Sequence, residues 1–421
     1  MRTIYLLFLL SLGFCSLAQN HTFYTKRDSA TLQNMKNVWR DTVYVINANV
    51  RADFLLSLGS IDSDSAFVFD IRGMYFRKMP DIRRFTNITE INAERNQLTE
   101  FVIKSKNLKH IEYINISGNN ISVFKIGKAP KLKKIDFGKN PIKKIPFGIL
   151  RSRKIDELSL NNCEVPKLPW WLPFKRKIHQ LYVYNNPLQI SNSNIRRMRN
   201  ITHLQMSILP EDSISSYFSR LTKLKKLVFY KSHINSLPSN FWQLKNLEVF
   251  ILYDNEFDEI PEVCFKLPRL HHLDLYYNNV KFIPMGIIQC DSLEELYLSY
   301  NQISVIPDAL KEMKNLKKLY IHHNNIEDIP KWINNMPQLQ VLDMGYNQIN
   351  ELPSMSNLVN LHTVDFQHNQ LTEFPFELND LPSLNRIFLF DNPWKLTTDE
   401  YDKVLEMKEL LKQKGGELFV D

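Results

Sequence analysis

The chain has 421 residues, of which 44% are hydrophobic and only 11 are glycine, and its formal net charge at pH 7 is +8. This composition is typical of one soluble folded body. After the first twenty residues no apolar run is long enough to cross a bilayer, so the sequence excludes a membrane-spanning helix there.

Residues 1–18 have the pattern of a secretory signal peptide. Arg2 precedes an apolar run, and Ser16 and Ala18 are the small residues expected three and one positions before a cleavage site. The mature protein is therefore expected to be exported, that is, secreted, periplasmic or on the cell surface. Lipid attachment at Cys15 is an alternative, but the bulky residue before it fits the bacterial lipidation motif poorly.

Residues 19–65 carry no repeat and are predicted to form an N-terminal cap. Residues 42–46 resemble a strand and residues 54–58 are apolar. A stacked array needs such a cap because its end units would otherwise expose their apolar sides.

One apolar frame then recurs about every 23 residues. Within a unit it places Leu293 at position 1, Leu296 at position 4, Leu298 at position 6, Asn301 at position 9 and Pro307 at position 15. Position 9 is occupied by Asn96, Asn119, Asn140, Asn186, Asn255, Asn278, Asn301, Asn324, Asn347, Asn369 and Asn392, and elsewhere by Met74, Cys163, Leu209 and Ser232. We therefore predict about fifteen stacked units over residues 66–394.

The frame has a physical rationale. Positions 4 and 6 alternate as a short strand and point inward, so strands of successive units are expected to pair in parallel. The amide at position 9 has both a donor and an acceptor, which suits backbone groups buried between adjacent coils. The predicted structural ladder is Asn255, Asn278, Asn301, Asn324, Asn347 and Asn369. The return segment after the proline is expected to be helical or nearly so.

The motif L-x-x-L-x-L-x-x-N-x-L followed by x-x-[IL]-P resembles the leucine-rich repeat superfamily, in its 23-residue Leu-Pro or Ile-Pro variant. The resemblance implies an α/β solenoid, a horseshoe with a parallel concave β-sheet, and protein binding as the commonest role. The repeats are similar to those of bacterial secreted proteins. They are also similar to those of intracellular Scribble and Ras-suppressor-type scaffolds, whose setting the export signal contradicts.

Residues 395–421 are predicted to form a C-terminal capping helix. Thr398 and Glu400 mark its start, and Gly415 follows its end. The apolar residues at helical spacing are Tyr401, Val404, Leu405 and Leu411.

Residues on either side of position 6 are expected to point out of the concave face, and many of them are aromatic. Tyrosine brings a large contact area at low entropic cost, with a hydroxyl that still forms hydrogen bonds. The sequence therefore predicts an exported recognition or scaffold protein that binds a protein or peptide. The predicted partner-binding residues are Tyr182, Tyr184, Tyr230, Tyr253, Tyr276, Tyr277, Tyr297, Tyr300, Tyr320, His322, His323, Tyr346 and His368, with Phe388 and Phe390 on the same face. The alternative is that the rings stiffen a solvated sheet, as in a purely structural envelope component.

Paired histidines raise the question of a metal site. His322 and His323 are adjacent, as are His271 and His272 two units earlier. Neighbouring residues in a strand point to opposite sides and no carboxylate completes a ligand set, so no metal site is predicted. A partner that covers these histidines is expected to make binding sensitive to pH near 6.5.

Basic residues are concentrated in residues 125–200, which contain 18 Lys and Arg against four Asp and Glu. Clusters precede three successive strands and are expected to stack along one edge of the solenoid; they are Arg151, Arg153, Lys154, Lys175, Arg176, Lys177, Arg196, Arg197 and Arg199. This edge supports a second function, a carbohydrate or polyanion binder that uses the aromatic stripe and the basic edge for an acidic glycan or an envelope surface. Export disfavours nucleic acid, and a solvated face is the simpler interpretation.

No catalytic motif accompanies the repeats. The sequence has no Gly-rich phosphate loop, no Gly-x-Ser-x-Gly and no His-Glu-x-x-His, so neither an enzyme nor a cofactor is predicted. Cys163, Cys264 and Cys290 are interpreted as small buried hydrophobes. A disulfide between Cys264 and Cys290 would require two different positions of the frame to meet across neighbouring coils.

Overall fold

The computed structural model describes residues 67–104, 108–145, 147–172, 176–207 and 214–420, together with the short strands β1 (Thr22–Phe23) and β2 (Val43–Val45). The predicted signal peptide, most of the predicted N-terminal cap, Lys175 and Leu209 lie outside this part. The chain divides into two compact units, Met1–Ile201 and Thr202–Asp421.

The first unit is built on parallel strands. β2, within the segment predicted as a strand, pairs in parallel with β3 and antiparallel with β1. From β3 the main sheet continues in parallel through β4, β6, β8, β9 and β10, while β5 and β7 pair in a second small sheet. The strands are β3 (Val68–Asp70), β4 (Glu90–Asn92), β5 (Glu100–Ile103), β6 (Tyr113–Asn115), β7 (Val123–Ile126), β8 (Lys134–Asp136), β9 (Glu157–Ser159) and β10 (Gln180–Val183). The short helix α1 (Asn192–Arg197) follows.

The second unit is a regular parallel array in which each strand pairs with the next along the chain. Its strands are β11 (His203–Met206), β12 (Lys226–Phe229), β13 (Val249–Ile251), β14 (His272–Asp274), β15 (Glu295–Tyr297), β16 (Lys318–Tyr320), β17 (Val341–Asp343), β18 (Thr363–Asp365), β19 (Arg386–Phe388) and β20 (Glu417–Phe419). The parallel solenoid expected from the sequence is confirmed.

The core lies on one side of these strands. Leu296 and Leu298, at positions 4 and 6, are fully buried, and their equivalents Leu319 and Ile321 in the next coil are buried as well. Because the register pairs Leu296 with Leu319, identical positions stack from coil to coil. This stacking supplies the interface that no unit has alone.

The return segments are short 3-10 helices, and most of them begin directly after the proline, whereas Ser216–Arg220 follows Ser215. In the second unit they are Ser216–Arg220, Ser239–Gln243, Glu262–Lys266, Met285–Gln289, Asp308–Glu312, Lys331–Asn335 and Phe376–Asp380, and the first unit has Phe147–Arg151. Leu310 lies in one of them and Met313 follows it, and both are buried. Five residues form little more than one turn, so they take the tighter helix.

Asn301 shows what position 9 does. Its Nδ2 donates to the carbonyls of Leu275, in the preceding coil, and of Leu298, both at 2.9 Å, and its Oδ1 accepts from the Val280 amide at 2.8 Å. Asn255, Asn278, Asn324, Asn347 and Asn369 donate to the preceding coil in the same way. The buried amides therefore join each coil to the one before it.

The C-terminal segment forms the helix α2 (Thr398–Gln413), followed by β20. The N-cap is Thr397, one residue before the predicted start, in a capping box with Glu400. The helix buries Val404, Met407 and Leu411, whereas Tyr401 and Leu405 are exposed. No described helix is long and apolar enough to cross a membrane.

Cys163, Cys264 and Cys290 are buried free thiols. The Sγ atom of Cys290 lies 3.9 Å from the carbonyl oxygen of Cys264, and the considered disulfide is not formed. Cys163, at position 9, keeps part of the asparagine's role because its Sγ lies 3.5 Å from the carbonyl of Phe137 in the preceding coil. Burial raises the pKa of the Cys163 thiol to about 11.

Candidate functional site

The side chains at positions 5, 7 and 8 of the second unit lie on the side of the sheet opposite to the core, which we call the open face. At position 7, Tyr230 stacks on Tyr253 with ring centroids 5.0 Å apart, and Tyr253 stacks on Tyr276 at 5.2 Å. At position 5, Tyr297 stacks on Tyr320 at 4.3 Å. These contacts follow from the parallel register, which places equivalent residues of adjacent coils side by side.

Position 8 forms the longest column, in which Tyr277, Tyr300, His323, Tyr346 and His368 stack in sequence. The centroid distances along it are 5.0, 3.9, 3.9 and 4.0 Å, and no two neighbouring planes differ by more than 24°. Tyr277 and Tyr346 are 51% and 38% exposed, so the column presents ring area to solvent.

These five residues all have left-handed backbone, with φ between 51° and 61°. Aromatic residues rarely adopt this conformation, because the side chain crowds the following carbonyl. Here hydrogen bonds to the next coil stabilise the left-handed conformation. The amide of His323 donates to the carbonyl of Gly345 at 2.9 Å, and the amide of Asn324 donates to the carbonyl of Tyr346 at 3.3 Å.

Tyr276 and Tyr300 connect the columns, with ring centroids 5.1 Å apart, and Tyr300 also contacts His322 at 5.3 Å. The columns at positions 7 and 8 are thus connected, and the position 5 pair is a separate stack on the same face. We call all these residues the aromatic face; it comprises Tyr230, Tyr253, Tyr276, Tyr277, Tyr297, Tyr300, Tyr320, His322, His323, Tyr346 and His368. Tyr182 and Tyr184 belong to the first unit, where the Tyr182 hydroxyl donates to the Gln180 side chain at 2.7 Å.

His322 and His323 do not point to opposite sides, as strand alternation predicted. Their Nδ1 atoms lie 2.8 Å apart on the open face, because the strand has ended and His323 takes the left-handed conformation. Burial, with the charge of His323, lowers the pKa of His322 to about 4, and burial also lowers that of His323. A pH dependence of partner binding near 6.5 is therefore not expected from His322, whereas it stays a prediction for the other histidines.

Two carboxylates on the open face were missed from the sequence. Asp343 and Asp365 face each other across β17 and β18 at position 5. Burial, followed by the charge of Asp365, raises the pKa of Asp343 to about 7, and burial raises that of Asp365 to about 6. Their position among aromatic neighbours was the available signal, but the sequence did not show how far they are buried.

A third acid, Glu295, is fully paired. Its carboxylate binds Lys318 Nζ at 2.8 Å and His272 Nδ1 at 2.9 Å, and it accepts the Tyr297 hydroxyl at 3.2 Å. Burial would raise the pKa of Glu295, but the bonds to Lys318 and His272 outweigh it and lower the pKa. This network fixes the edge of the aromatic face.

A shallow depression of about 410 Å³ adjoins the position 8 column. Tyr277, Tyr300 and His323 line one side of it, and Asp254 and Glu256 line another. Both acids have partners, Lys231 at 3.2 Å and His233 at 2.8 Å. A side chain of a partner placed in this depression would contact the aromatic rings on one side and polar side chains on the other.

The predicted basic edge is exposed wherever it is described, at Arg151, Arg153, Lys154, Arg176, Lys177, Arg196, Arg197 and Arg199. Asn200 Nδ2 donates to the carbonyl of Arg176 at 3.1 Å, and Arg176 and Arg197 line one small depression. Part of the edge is therefore brought together. Within the described residues, no three His, Cys, Asp or Glu side chains are grouped as a metal site would need.

Comparison with known proteins agrees with this architecture. The leucine rich repeat family model matches residues 245–303, 291–349 and 314–371. A search of curated proteins finds no match.

Solved structures are similar in fold. A leucine-rich repeat protein of Leptospira interrogans is 21% identical with a TM-score of 0.64, covering 84% of this chain and 94% of its own. An internalin of Listeria monocytogenes is 19% identical with a TM-score of 0.53, covering 90% and 95%. The Drosophila Toll–Spatzle complex gives 16% identity and a TM-score of 0.55, covering 74% and 49%. Residues 245–371 therefore match leucine-rich repeats, and the parallel solenoid is similar in fold to these leucine-rich repeat structures.

Proposed function

We propose that this protein is a recognition scaffold that binds a protein or peptide partner through the aromatic face. The observation that carries the proposal is the position 8 column, in which five stacked rings are held in left-handed backbone. The same left-handed turn displays Lys231, Asp254 and Asp391 in other coils of the second unit, so the fold requires the turn but does not require the rings that it displays in these five successive coils.

The chemistry of the face suits a polypeptide. Stacked phenols and imidazoles offer apolar area together with hydroxyl and ring nitrogen groups for hydrogen bonds, and little side-chain entropy remains to be lost on binding. Leucine-rich repeat proteins are generally binding scaffolds without enzymatic activity. The similar solved structure of Toll is a complex with Spatzle, which supports the same kind of use here.

The test is affinity capture from extracts of the source cells. The bait is the full chain, wild type or with Tyr276→Ala, Tyr297→Ala and Tyr320→Ala. None of these three positions has left-handed backbone, so the substitutions do not alter the left-handed turns of the position 8 column. We expect the captured partner to fall at least tenfold with the triple variant, and unchanged capture of every partner would refute the proposal.

A matched control removes three exposed aromatic residues elsewhere, Trp242→Ala, Phe282→Ala and Tyr401→Ala. These side chains are 44%, 51% and 51% exposed and lie outside the aromatic face. Capture should survive in this control. An equal loss in both triple variants would show that loss of surface aromatics in general, rather than the aromatic face, is responsible.

A second candidate function is binding of an acidic glycan, which the shared depression of Arg176 and Arg197 favours. A glycan array separates the two candidates. Salt-sensitive binding to sulfated or uronic glycans that is lost with Arg176→Ser and Arg197→Ser would support it, while a silent array would leave protein binding as the function.

We also propose that the protein works outside the cytoplasm, because residues 1–18 have the pattern of a signal peptide. Mass spectrometry of the mature N-terminus tests this. A chain beginning at Gln19 supports export, and a chain that retains residues 1–18 in the cytoplasm contradicts it.

A further inference from the structure

Exposed apolar side chains are grouped on the turn side of the second unit, by which we mean positions 12, 13 and 16 of the frame, between the asparagine and the return helix. Phe282 and Val305 both occupy position 13 and are 51% and 66% exposed. Their coils are adjacent in the register, so the two side chains have neighbouring places in the stack. Met285, at position 16 of the same coil as Phe282, is 62% exposed.

The fold does not require apolar residues at position 13. In five other coils of the second unit this position is polar and exposed, and it holds Ser236, Glu259, Asp328, Glu351 and Glu373. Phe282 and Val305 therefore contribute apolar surface that the core does not use. Adjacent exposed apolar residues with a polar border are typical of an interaction surface.

The border of this apolar group is negatively charged. The coil before it and the coil after it carry exposed acids at positions 12 and 13, namely Asp258, Glu259, Glu327 and Asp328. Within the described residues none of these four forms an ion pair. The cations at positions 12, 13 and 16 of these coils are Lys281 and Lys331, so an excess of negative charge remains. We call the apolar group with its four acids the acidic patch.

The first unit exposes the opposite combination at the same positions of the frame. Phe147 and Trp170 occupy position 16 of two adjacent coils and are 60% and 73% exposed. Lys144 and Lys167 occupy position 13 of these coils, and both are exposed. Positions 12, 13 and 16 of the two coils contain no acid. We call these four residues the basic patch.

Both patches are exposed in the folded chain, so neither covers the other within one molecule. Each combines large apolar side chains from two adjacent coils with an excess of charge of one sign, and the two signs are opposite. Burial of apolar surface supplies attraction, and opposite charges select the partner and the orientation of the contact. The chain therefore carries a surface that complements its own acidic patch.

We propose that the acidic patch binds a second copy of this chain through the basic patch of that copy. The aromatic pair of one copy packs on the apolar group of the other, while Lys144 and Lys167 bind acids such as Glu259 and Asp328. Because two different surfaces meet, the contact is heterologous. It uses none of the residues of the aromatic face and does not depend on the function proposed for that face.

Sedimentation velocity of the full chain tests the contact. The wild type should self-associate as its concentration rises, and added salt should weaken the association because it screens exposed charges. Phe282→Ser with Val305→Ser should weaken self-association at least roughly tenfold, because the apolar surface is removed. Both side chains are exposed, so thermal melting should show that this variant is no less stable than the wild type.

Charge reversal identifies the occupant. Glu259→Lys with Asp328→Lys should abolish self-association in one variant, and Lys144→Glu with Lys167→Glu should abolish it in another. Mixing the two variants should restore association. Each of them keeps one wild-type patch that fits the other variant, and the two reversed patches are again complementary in charge.

The matched control is Lys403→Glu with Lys408→Glu, which makes the same charge change at two exposed residues of α2. Self-association should change less than about twofold in this control, because isolated surface charges contribute little. A wild type that stays monomeric at every concentration, or reversed variants that stay apart when mixed, would overturn the inference.

The outcomes are independent of the proposed function. The variant with Trp242→Ala, Phe282→Ala and Tyr401→Ala should lose self-association and still capture the partner of the aromatic face. Conversely, the triple tyrosine variant should lose that partner and still self-associate. Self-association of the Phe282 variant at the wild-type level would overturn the inference and leave the aromatic face as the binding surface.

Discussion

The imidazole of His323 lies over the phenol ring of Tyr346, with ring centroids 3.9 Å apart and planes 19° from parallel. Both residues have positive φ, 52° and 54°. Their stack is therefore produced by the backbone, because adjacent coils repeat the same left-handed turn and bring each ring over the next. Side-chain rotation alone would not give such a regular column.

The left-handed backbone predicts an unusual order of variant stabilities at Tyr346. Tyr346→Gly should be more stable than Tyr346→Ala by about 1 kcal/mol, because alanine pays the cost of positive φ and glycine does not. Urea denaturation midpoints measure the difference. At Tyr320, which lies within β16, the order should reverse by roughly 0.5–1 kcal/mol because glycine weakens a strand. The same order at both residues would contradict this explanation.

The asparagine ladder predicts a large loss of stability for Asn301→Ala. The substitution leaves the buried amide of Val280 without its partner, and the carbonyl of Leu275 keeps only the Asn278 amide, so it should cost about 2 kcal/mol. Asn279→Ala is the control, because Asn279 is exposed and should change stability by less than about 0.5 kcal/mol. Similar midpoints for the two variants would show that the ladder contributes little.

The carboxyl pair predicts a pH-dependent effect of Asp343→Asn. Folding raises the pKa of Asp343 from 3.8 to about 7, so the folded protein holds this proton more tightly than the unfolded chain does. The wild type therefore loses stability as pH rises from 4 to 7, and the variant lacks this loss. At pH 8 the variant should be more stable by at least about 1 kcal/mol, and near pH 4 the difference should vanish. Melting curves at both pH values check this, and a constant difference would contradict it.

The capping box of α2 predicts local rather than global destabilisation. Thr397→Ala removes the bond from the Glu400 amide to the Thr397 hydroxyl, 3.3 Å long, and should cost about 1 kcal/mol. Hydrogen exchange should become faster in α2 and remain unchanged in β14 to β17. Thr398→Ala, at the exposed first helical residue, is the control and should leave exchange close to that of the wild type.

The parallel solenoid could be predicted because Leu296, Leu298 and Asn301 repeat with one period, and each has a fixed structural role. Other elements have too few residues for a repeating pattern to be recognised in the sequence. β20 has three residues after two glycines, which show neither strand nor helix periodicity. The N-cap predicted for α2 is one residue too late, because Thr397 and Thr398 are both suitable N-caps. The hydrogen bonds between Thr397 and Glu400 select Thr397.

The candidate site was predicted less completely. The sequence identified the ring-bearing residues, but it treated His322 and His323 as members of one alternating strand. The direction of a side chain changes where the strand ends. The identity of an aromatic residue does not reveal that its φ angle is positive. Asp343 and Asp365 were missed because their pKa values depend on how deeply neighbouring coils bury them, which no local pattern contains.

Each ring of the position 8 column directly precedes a buried asparagine, as His323 precedes Asn324. The turn that presents it is fixed by main-chain hydrogen bonds to the next coil, so it does not depend on which side chain is displayed. In the first unit the same left-handed turn displays Lys139, Asn162 and Asn185. The side chain on this turn can therefore be exchanged in one coil without altering the backbone of the turn that carries it.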